Sequence, residues 1–250
     1  MTDLAVVTGA GTGIGRALAR GLADRGLGVL LVGRRAGLLQ EACAHASAHM
    51  QAISADVGDP AGRARIVDAI GDRRVRCLVH NAGVLEPIGP LANVSLEAWR
   101  AAQAVNVEGP LFLTQALLDK LPGGRVLHIS SGAAHGAYPG WGSYCTAKAA
   151  LHMIYQVLRE ELAASSIAVG SLRPGVVDTP MQALIRNQTP ETFPRVQRFL
   201  DLHARGELED PTEVADFAAW LLLDVPAADY AAAEWSFTEP EHRRRWKARS

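Results

Sequence analysis

The sequence predicts a single domain of the doubly wound (Rossmann) α/β class, with a seven-stranded and mostly parallel sheet. Two observations lead to this prediction. Short apolar runs, typical of buried strands, alternate along the chain with longer runs rich in Ala and Leu, typical of helices. A glycine-rich segment directly follows the first apolar run, as it does in folds that bind dinucleotides.

The composition fits one globular domain without an unusual partner. The 250 residues are 48% hydrophobic and 20% charged, and the formal net charge is −1. This charge gives no electrostatic reason to expect binding to nucleic acid or to a membrane surface. The N-terminus lacks the basic and apolar regions of a signal peptide, and the three cysteines form no paired motif. We therefore expect a cytoplasmic protein.

Seven segments are predicted as strands because they are short, apolar and bounded by turn residues. They are residues 4–7, 28–32, 51–57, 75–79, 125–129, 167–172 and, as a short last strand, 234–237. Residues 1–130 are expected mainly to bind a dinucleotide. Residues 131–240 are expected to carry the catalytic and substrate-binding part of the same 1–250 domain.

The longer runs between these strands are predicted as helices. One opens at Asp59 as N-cap with Pro60 in the first helical position. The others are residues 16–25, 96–121, 144–162, 190–203 and 211–223. The basic run at 242–247 is interpreted as a solvated chain end. Asn106 falls in the middle of the 96–121 helix, where asparagine is unfavourable and its presence requires a reason.

The segment at residues 8–15, Thr-Gly-Ala-Gly-Thr-Gly-Ile-Gly, joins the first strand to the first helix. Glycines let the backbone approach phosphates, and the N-terminus of the helix supplies free N–H groups. The candidate pyrophosphate-binding residues are Gly9, Thr12, Gly13, Ile14 and Gly15. The alternative is a tight strand–helix turn without a ligand.

Two arginines follow the second predicted strand. Folds that bind NAD commonly place an acidic residue about twenty positions beyond the glycines. Here Gly33 is followed by Arg34 and Arg35. Because guanidinium groups pair with phosphate in a bidentate manner, these arginines favour a 2′-phosphate and therefore NADP(H). Solvated surface arginines are the alternative.

Ser131, Tyr144 and Lys148 form the candidate catalytic group. Tyr144 and Lys148 stand four residues apart in a predicted helix, which places them one turn apart on one face. An ammonium beside a phenol is expected to lower the phenol pKa from about 10 toward working pH. Ser131 follows a predicted strand, at the sheet edge where ligands bind. The alternatives are a surface Tyr–Lys pair and a serine-containing turn.

Several other residues leave alternatives open. Trp141 lines a substrate pocket or anchors a loop, and Met181 with Gln182 are candidates for a pocket lid. His45 and His49 have helical spacing, but with only Cys43 nearby and no carboxylate on that face we expect a solvated face and not a metal site. Cys145 is interpreted as a packing residue.

Together these motifs resemble the short-chain dehydrogenase/reductase family over nearly the whole chain. The family's T-G-x-x-x-G-x-G, N-A-G and P-G motifs match residues 8–15, 81–83 and 174–175. The resemblance implies that Asn106, Ser131, Tyr144 and Lys148 are catalytic. It also implies cofactor contacts from Tyr144 and Lys148 and from a further set: Asp56, Val57, Asn81, Ala82, Gly83, Pro174, Gly175, Val177 and Thr179.

Segments 85–90, 138–144, 174–182 and 205–211 are similar to the sepiapterin reductase and benzil reductase branch. That branch reduces a ketone next to a second carbonyl with NADPH. Thr12 is a departure, since many NADPH-preferring relatives have a basic residue there. The glycine-rich C-terminal segment of many tetrameric relatives is also missing, which suggests a homodimer formed through the two long helices.

The expected function is therefore NADPH-dependent reduction of one carbonyl of a small neutral α-diketone, giving an α-hydroxyketone. Leu85, Ser131, Trp141 and Met181, with Tyr138, are the expected substrate contacts. One alternative is an oxidoreductase for another ketone or alcohol. Others are an NADP-sensing regulator without turnover, and a lyase or epimerase that uses the cofactor transiently.

Overall fold

The computed structural model describes residues 3–46 and 48–248. Its strands are β1 (Leu4–Thr8), β2 (Gly28–Gly33), β3 (Met50–Ser54), β4 (Val75–His80), β5 (Arg125–Ile129), β6 (Ala168–Arg173) and β7 (Trp235–Ser236). They form one sheet in the order β3-β2-β1-β4-β5-β6-β7, and every neighbouring pair is parallel. The predicted fold class is confirmed.

Helices cover both faces of this sheet. They are α1 (Gly13–Asp24), α2 (Ala36–Cys43), α3 (Pro60–Ile70), α4 (Leu96–Gln103), α5 (Gly109–Ala116), α6 (Gly142–Glu161), α7 (Pro180–Arg186), α8 (Val196–Ala204), α9 (Pro211–Leu223), α10 (Ala227–Ala232) and α11 (Pro240–Lys247). Asp59 caps α3 as predicted, since its carboxylate accepts hydrogen bonds from the N–H groups of Ala61 and Gly62.

Two apolar layers hold the helices against the sheet. One contains Leu18 of α1 and Phe217 of α9, and the other contains Ile66 of α3 and Tyr155 of α6. The chain leaves β3 at the edge and returns to β4 beside β1. Such a reversal of strand order opens a crevice at the carboxyl ends of the strands, where α/β proteins bind ligands.

The predicted helix at 96–121 is interrupted. α4 and α5 are separated by a π-helical segment, Ala104–Glu108, and a short 3₁₀ turn follows α5. Asn106 lies in the π-helical segment, where its side chain hydrogen-bonds to the backbone of Val84. Single π turns inside α-helices are frequent at functional sites.

The prediction at 190–203 was wrong in its first half. The structure has α7 before it, started by Pro180, and α8 begins only at Val196. Pro190 and Pro194 explain the delay, because a proline disfavours helical backbone at the residue before it. The third strand also ends early, at Ser54, so Asp56 and Val57 lie in the loop that follows.

The basic run at 242–247 is not a solvated end. It lies in α11, and Trp246 of this helix is buried against Phe217 and Phe237 at ring distances of 5.7 and 5.8 Å. Arg244 and Arg245 of the same helix are exposed, whereas Arg243 is half-buried over the Phe237 ring. In residues 3–46 and 48–248, we find no helix with the length and apolar character that a membrane crossing requires.

Candidate active site

Ser131, Tyr144 and Lys148 meet at the carboxyl edge of the sheet. α6 carries Tyr144 and Lys148 one turn apart, and both side chains are buried. The Lys148 Nζ donates a 2.8 Å hydrogen bond to the Ile129 carbonyl at the end of β5, and it lies 5.6 Å from the centre of the Tyr144 ring. Ser131 lines the same cleft as Tyr144, and its hydroxyl lowers the pKa of the phenol. The structure therefore brings the three residues together.

The electrostatic prediction for this group was wrong. Burial raises the pKa of Tyr144 to about 12, and the hydrogen bond with Ser131 opposes this only in part. Burial also lowers the pKa of Lys148 to about 8. The ammonium faces the ring and bonds to Ile129, so it does not offset the loss of hydration around the phenol. Tyr144 therefore stays a neutral phenol, the form that can give a proton to a carbonyl oxygen.

Asn106 lies beside the Tyr144–Lys148 pair. Its Oδ1 accepts from the Val84 N–H at 2.9 Å, and its Nδ2 donates to the Val84 carbonyl at 2.8 Å. A Cβ on Gly83 would come within 3.2 Å of the Asn106 Oδ1 and 3.9 Å of the Lys148 Nζ. Asn106 therefore fixes the 83–84 backbone next to Lys148.

The glycine segment and the Asn-Ala-Gly motif hold each other in place. The Thr8 Oγ1 accepts from the backbone N–H groups of Asn81 and Ala82 at 3.0 Å, and the Asn81 Nδ2 donates to the carbonyls of Thr8 and Gly9. The Asn81 amide thus stabilises the conformation of the glycine segment. Gly9 has a φ of +66°, and a Cβ there would lie 2.9 Å from the Ala82 backbone. The segment therefore requires glycine at this position.

A cleft of about 710 Å³ runs from this segment to the Tyr144 group. Every predicted cofactor and substrate residue lines it except Gly15, and the catalytic candidate Asn106 is also outside it. Gly15 is buried against Gly9 and Asn81, where it allows close packing of α1 on the loop. Thr179 reaches the glycine segment, since a Cβ on Gly13 would lie 2.9 Å from its methyl group.

This geometry fits a bound nicotinamide dinucleotide. Glycine backbone and the start of α1 offer N–H groups for a pyrophosphate at one end. Arg34 and Arg35 line the same end and are exposed. Arg34 is only loosely paired, at 3.9 Å from Asp56. Pro174, Gly175, Val177 and Thr179 line the cleft toward Tyr144, where the nicotinamide ring would be held.

Aromatic side chains close the other end of the cleft. Trp141 stacks on Phe193 with ring centres 4.3 Å apart and on Tyr138 at 5.2 Å, and its edge meets Tyr144 at 6.1 Å. Trp141 therefore packs in this cluster and also lines the cleft. Leu85, Met181 and Gln182 line the same end.

Phe199 and Arg198 were missed by the sequence analysis. Both lie on α8 and line the aromatic end of the cleft, where Phe199 contacts Trp141 at 5.3 Å. Arg198 is exposed, so a positive charge stands beside an otherwise largely apolar and aromatic wall. No local sequence motif identifies these two residues, because α8 reaches the cleft only through the tertiary fold.

Two other side chains have ordinary surroundings. The His45 Nε2 lies 2.9 Å from the Asp24 carboxylate in an exposed pair. Cys145 is half-buried, and burial raises the pKa of its thiol. A raised thiol pKa is the opposite of what an activated cysteine has.

Comparisons with known proteins agree with this geometry. The family model described as short chain dehydrogenase matches residues 3–190. A benzil reductase ((S)-benzoin forming) of Bacillus cereus is 31% identical over 227 residues, which cover 84% of this chain and 90% of that protein.

Solved structures show the same fold. The KRED1-Pglu enzyme superposes with a TM-score of 0.87 and 31% identity, over 93% of this chain and 100% of that one. A putative NAD(P) dependent gluconate 5-dehydrogenase of Beutenbergia cavernae with bound NADP gives a TM-score of 0.80 and 31% identity, over 94% of both chains. The chain therefore belongs to the short-chain dehydrogenase/reductase family, whose enzymes act on CH–OH and C=O groups with NAD(P)(H), and it resembles the benzil reductases.

Proposed function

We propose that this protein is an NADPH-dependent carbonyl reductase that converts a small neutral α-diketone to an α-hydroxyketone. The observation that carries the proposal is the placement of the half-buried Ser131 with the buried Tyr144 at the aromatic end of the dinucleotide cleft. The similarity to a benzil reductase supports the substrate class.

Each catalytic residue has a role that its surroundings support. The Ser131 hydroxyl donates a hydrogen bond to the substrate carbonyl, and Tyr144, kept neutral by burial, gives its proton to that oxygen. Lys148 supplies positive charge beside the phenol and is placed to bond a cofactor ribose. Asn106 positions the 83–84 backbone. The bound cofactor supplies the hydride.

The aromatic end favours a flat, neutral substrate. Tyr138, Trp141 and Phe199 offer stacking surface, while only a few polar groups are available to fix orientation. A second carbonyl beside the first makes the reacting carbon more electrophilic and adds a hydrogen-bond acceptor. Benzil or a phenyl-dione is the first choice of substrate, and the side-chain dione of sepiapterin is the second.

A substrate panel tests this function. We expect kcat/KM for NADPH oxidation to be highest with α-diketones among diketones, simple ketones, 3-oxoacyl thioesters and steroids. A preference of about tenfold or more for thioesters or steroids, near 1.4 kcal/mol, would contradict the substrate class. Binding of NADPH without turnover of any carbonyl would favour the alternative of an NADP-sensing regulator.

Arg34 and Arg35 are proposed to select NADPH through its 2′-phosphate. Replacing both with Ala removes charge-assisted hydrogen bonds of about 1.5–3 kcal/mol each, so the KM for NADPH should rise while that for NADH changes little. A double Ala variant of Arg244 and Arg245, on α11, removes the same charge outside the cleft and is the control. Equal use of both cofactors by the unaltered enzyme would refute the selectivity.

We also propose a homodimer formed through α5 and α6. Phe112 on α5 and Met153 and Val157 on α6 are exposed apolar side chains, with Met153 57% accessible. The π-helical segment that runs into α5 packs on α6, so these helices offer one neighbouring surface for a second copy. Light scattering should give a dimer that Met153→Asp weakens and that Leu96→Asp, on α4, does not. A monomeric unaltered protein would exclude this assembly.

A cytoplasmic location is proposed as well. Cys43, Cys77 and Cys145 are free thiols. Free thiols fit a reducing compartment better than an oxidising one. Fractionation of the cells that produce the protein would test this location.

A further inference from the structure

A second group of functional side chains lies one helical turn beyond Lys148. His135 comes from the turn after Ser131, His152 from α6, and Glu234 from the segment before β7. One ligand atom from each of the three lies within 4.8 Å of the others. The group joins three distant parts of the chain, and none of its members lines the cofactor cleft.

One distance within this group matches that between two ligands of a single metal ion, and another is a hydrogen bond. The His152 Nδ1 lies 3.3 Å from one Glu234 oxygen, and the His135 Nε2 lies 2.8 Å from the other. The His152 Nδ1 is buried but makes no hydrogen bond of acceptable geometry. Two ligands at about 2.0–2.1 Å from a tetrahedral zinc ion stand about 3.3–3.4 Å apart. The His152–Glu234 spacing therefore suits two lone pairs directed at one ion.

The carboxylate of Glu234 is held in place by a buried serine. Ser171 donates to its Oε1 at 2.9 Å. Such outer hydrogen bonds orient the carboxylate ligand of a metal site. The Glu234 side chain is 11% exposed and that of His135 is 38%, so an ion can enter from the His135 side.

Arg173 opposes cation binding. Its Nε lies 3.2 Å from the Glu234 Oε2. A guanidinium at this distance neutralises part of the carboxylate charge, so it should lower the affinity of the site for a divalent ion. In a cluster without metal, Arg173 and the two histidines would be the ionisable partners of the Glu234 carboxylate. A metal site and a metal-free ion-pair cluster therefore predict opposite results in a metal titration.

We propose that His135, His152 and Glu234 form a binding site for one divalent ion of the zinc type, with water in the fourth position. Imidazole nitrogen with one carboxylate oxygen is a donor set that suits Zn²⁺ and Co²⁺. The ion links the turn that follows Ser131 to α6 and to the segment before β7. Its main effect is to stabilise this part of the fold beside the active site.

Titration of the full chain with Co²⁺, after removal of metals with a chelator, tests the proposal. A visible absorption band of tetrahedral Co²⁺ should saturate at about one equivalent, Zn²⁺ should displace it, and Zn²⁺ should raise the melting temperature reversibly. Glu234→Gln and His135→Gln should each weaken binding by about tenfold or more. Arg173→Gln should strengthen it.

His45→Gln is the matched control, because His45 is also an exposed histidine paired with a carboxylate. It should leave the Co²⁺ band unchanged. His135→Gln keeps the test decisive if Glu234→Gln does not fold, since His135 is the most exposed of the three. Lack of a saturable Co²⁺ band, or equal binding by the His135→Gln variant and the unaltered protein, would overturn the proposal and leave an ion-pair cluster.

Discussion

At the scale of single residues, burial sets the protonation states of Lys148 and Tyr144. The ammonium is buried beside the Tyr144 ring and is held by the Ile129 carbonyl. Burial disfavours its charged form and lowers its pKa to about 8, while the Tyr144 pKa is raised to about 12. The phenol therefore remains protonated over the whole range in which Lys148 titrates.

This difference predicts the pH profile of reduction. Because kcat/KM follows the free enzyme, it should fall as pH rises through about 8, where Lys148 loses its charge. Lys148→Arg, which stays charged, should be slower but should not show this decline. The measurement is kcat/KM for NADPH-dependent reduction from about pH 6 to about pH 10. A flat profile for the unaltered enzyme would contradict the role of the ammonium.

The identity of these residues was predictable, but their electrostatics were not. Tyr144 and Lys148 are recognisable because helical spacing is a local property of the chain. The pKa values depend on burial by Trp141 and by residues that are far from Tyr144 along the chain but pack against it in the fold. The sequence therefore located the acid but predicted the wrong direction for its pKa.

At the scale of elements, α11 shows how a polar sequence can hide a packing role. Five of its eight residues are charged, yet Trp246 is buried against Phe217 of α9 and Phe237 after β7. A single tryptophan in a basic run carries little periodic signal, so the sequence favoured a solvated end. The same limit applies to α8, whose contribution to the cleft depends on tertiary contacts.

Trp246 is expected to attach α11 to the core. Trp246→Ala should lower the free energy of unfolding by about 3–5 kcal/mol, the usual cost of deleting a buried Trp side chain. The neighbouring Lys247→Ala is the control and should change it by less than about 0.5 kcal/mol. Urea denaturation of both variants gives the comparison. Equal stabilities would show that α11 does not contribute to the cooperative core.

At the scale of the whole molecule, two histidines paired across β4 and β5 limit acid stability. His80 and His128 are fully buried with ring centres 5.0 Å apart, and His80 bonds to Thr114. Burial lowers the pKa of His80 well below its usual value and that of His128 to about 3. Both are therefore neutral in the folded state, whereas the unfolded chain protonates them below about pH 6.5.

Since the unfolded state binds more protons there, stability should fall as pH decreases from about 6.5 toward 3. The slope is up to ~1.4 kcal/mol per pH unit for each histidine. His128→Asn should remove the contribution of about one histidine from this slope, whereas His45→Gln, at an exposed position, should leave the slope nearly unchanged. Denaturant unfolding between about pH 5 and 7 measures it. An unaltered slope in His128→Asn would contradict this account.

The parallel sheet and the position of the cleft were the most predictable features of the whole molecule. The alternation of apolar runs and the glycine segment at residues 8–15 specify a parallel sheet and its ligand-binding edge. The group formed by His135, His152 and Glu234 was not predictable, because Glu234 is 82 residues beyond His152 along the chain. Only the tertiary fold brings them together.

The central claim is that Tyr144 protonates a diketone carbonyl. It is tested most directly by product analysis with benzil and NADPH. The unaltered enzyme should form one benzoin for each NADPH consumed. Tyr144→Phe should be slower by about a hundredfold or more with NADPH affinity little changed, while Tyr155→Phe, on the same helix but in the core, should stay active. Benzoin formation by Tyr144→Phe at a near-normal rate would contradict the account.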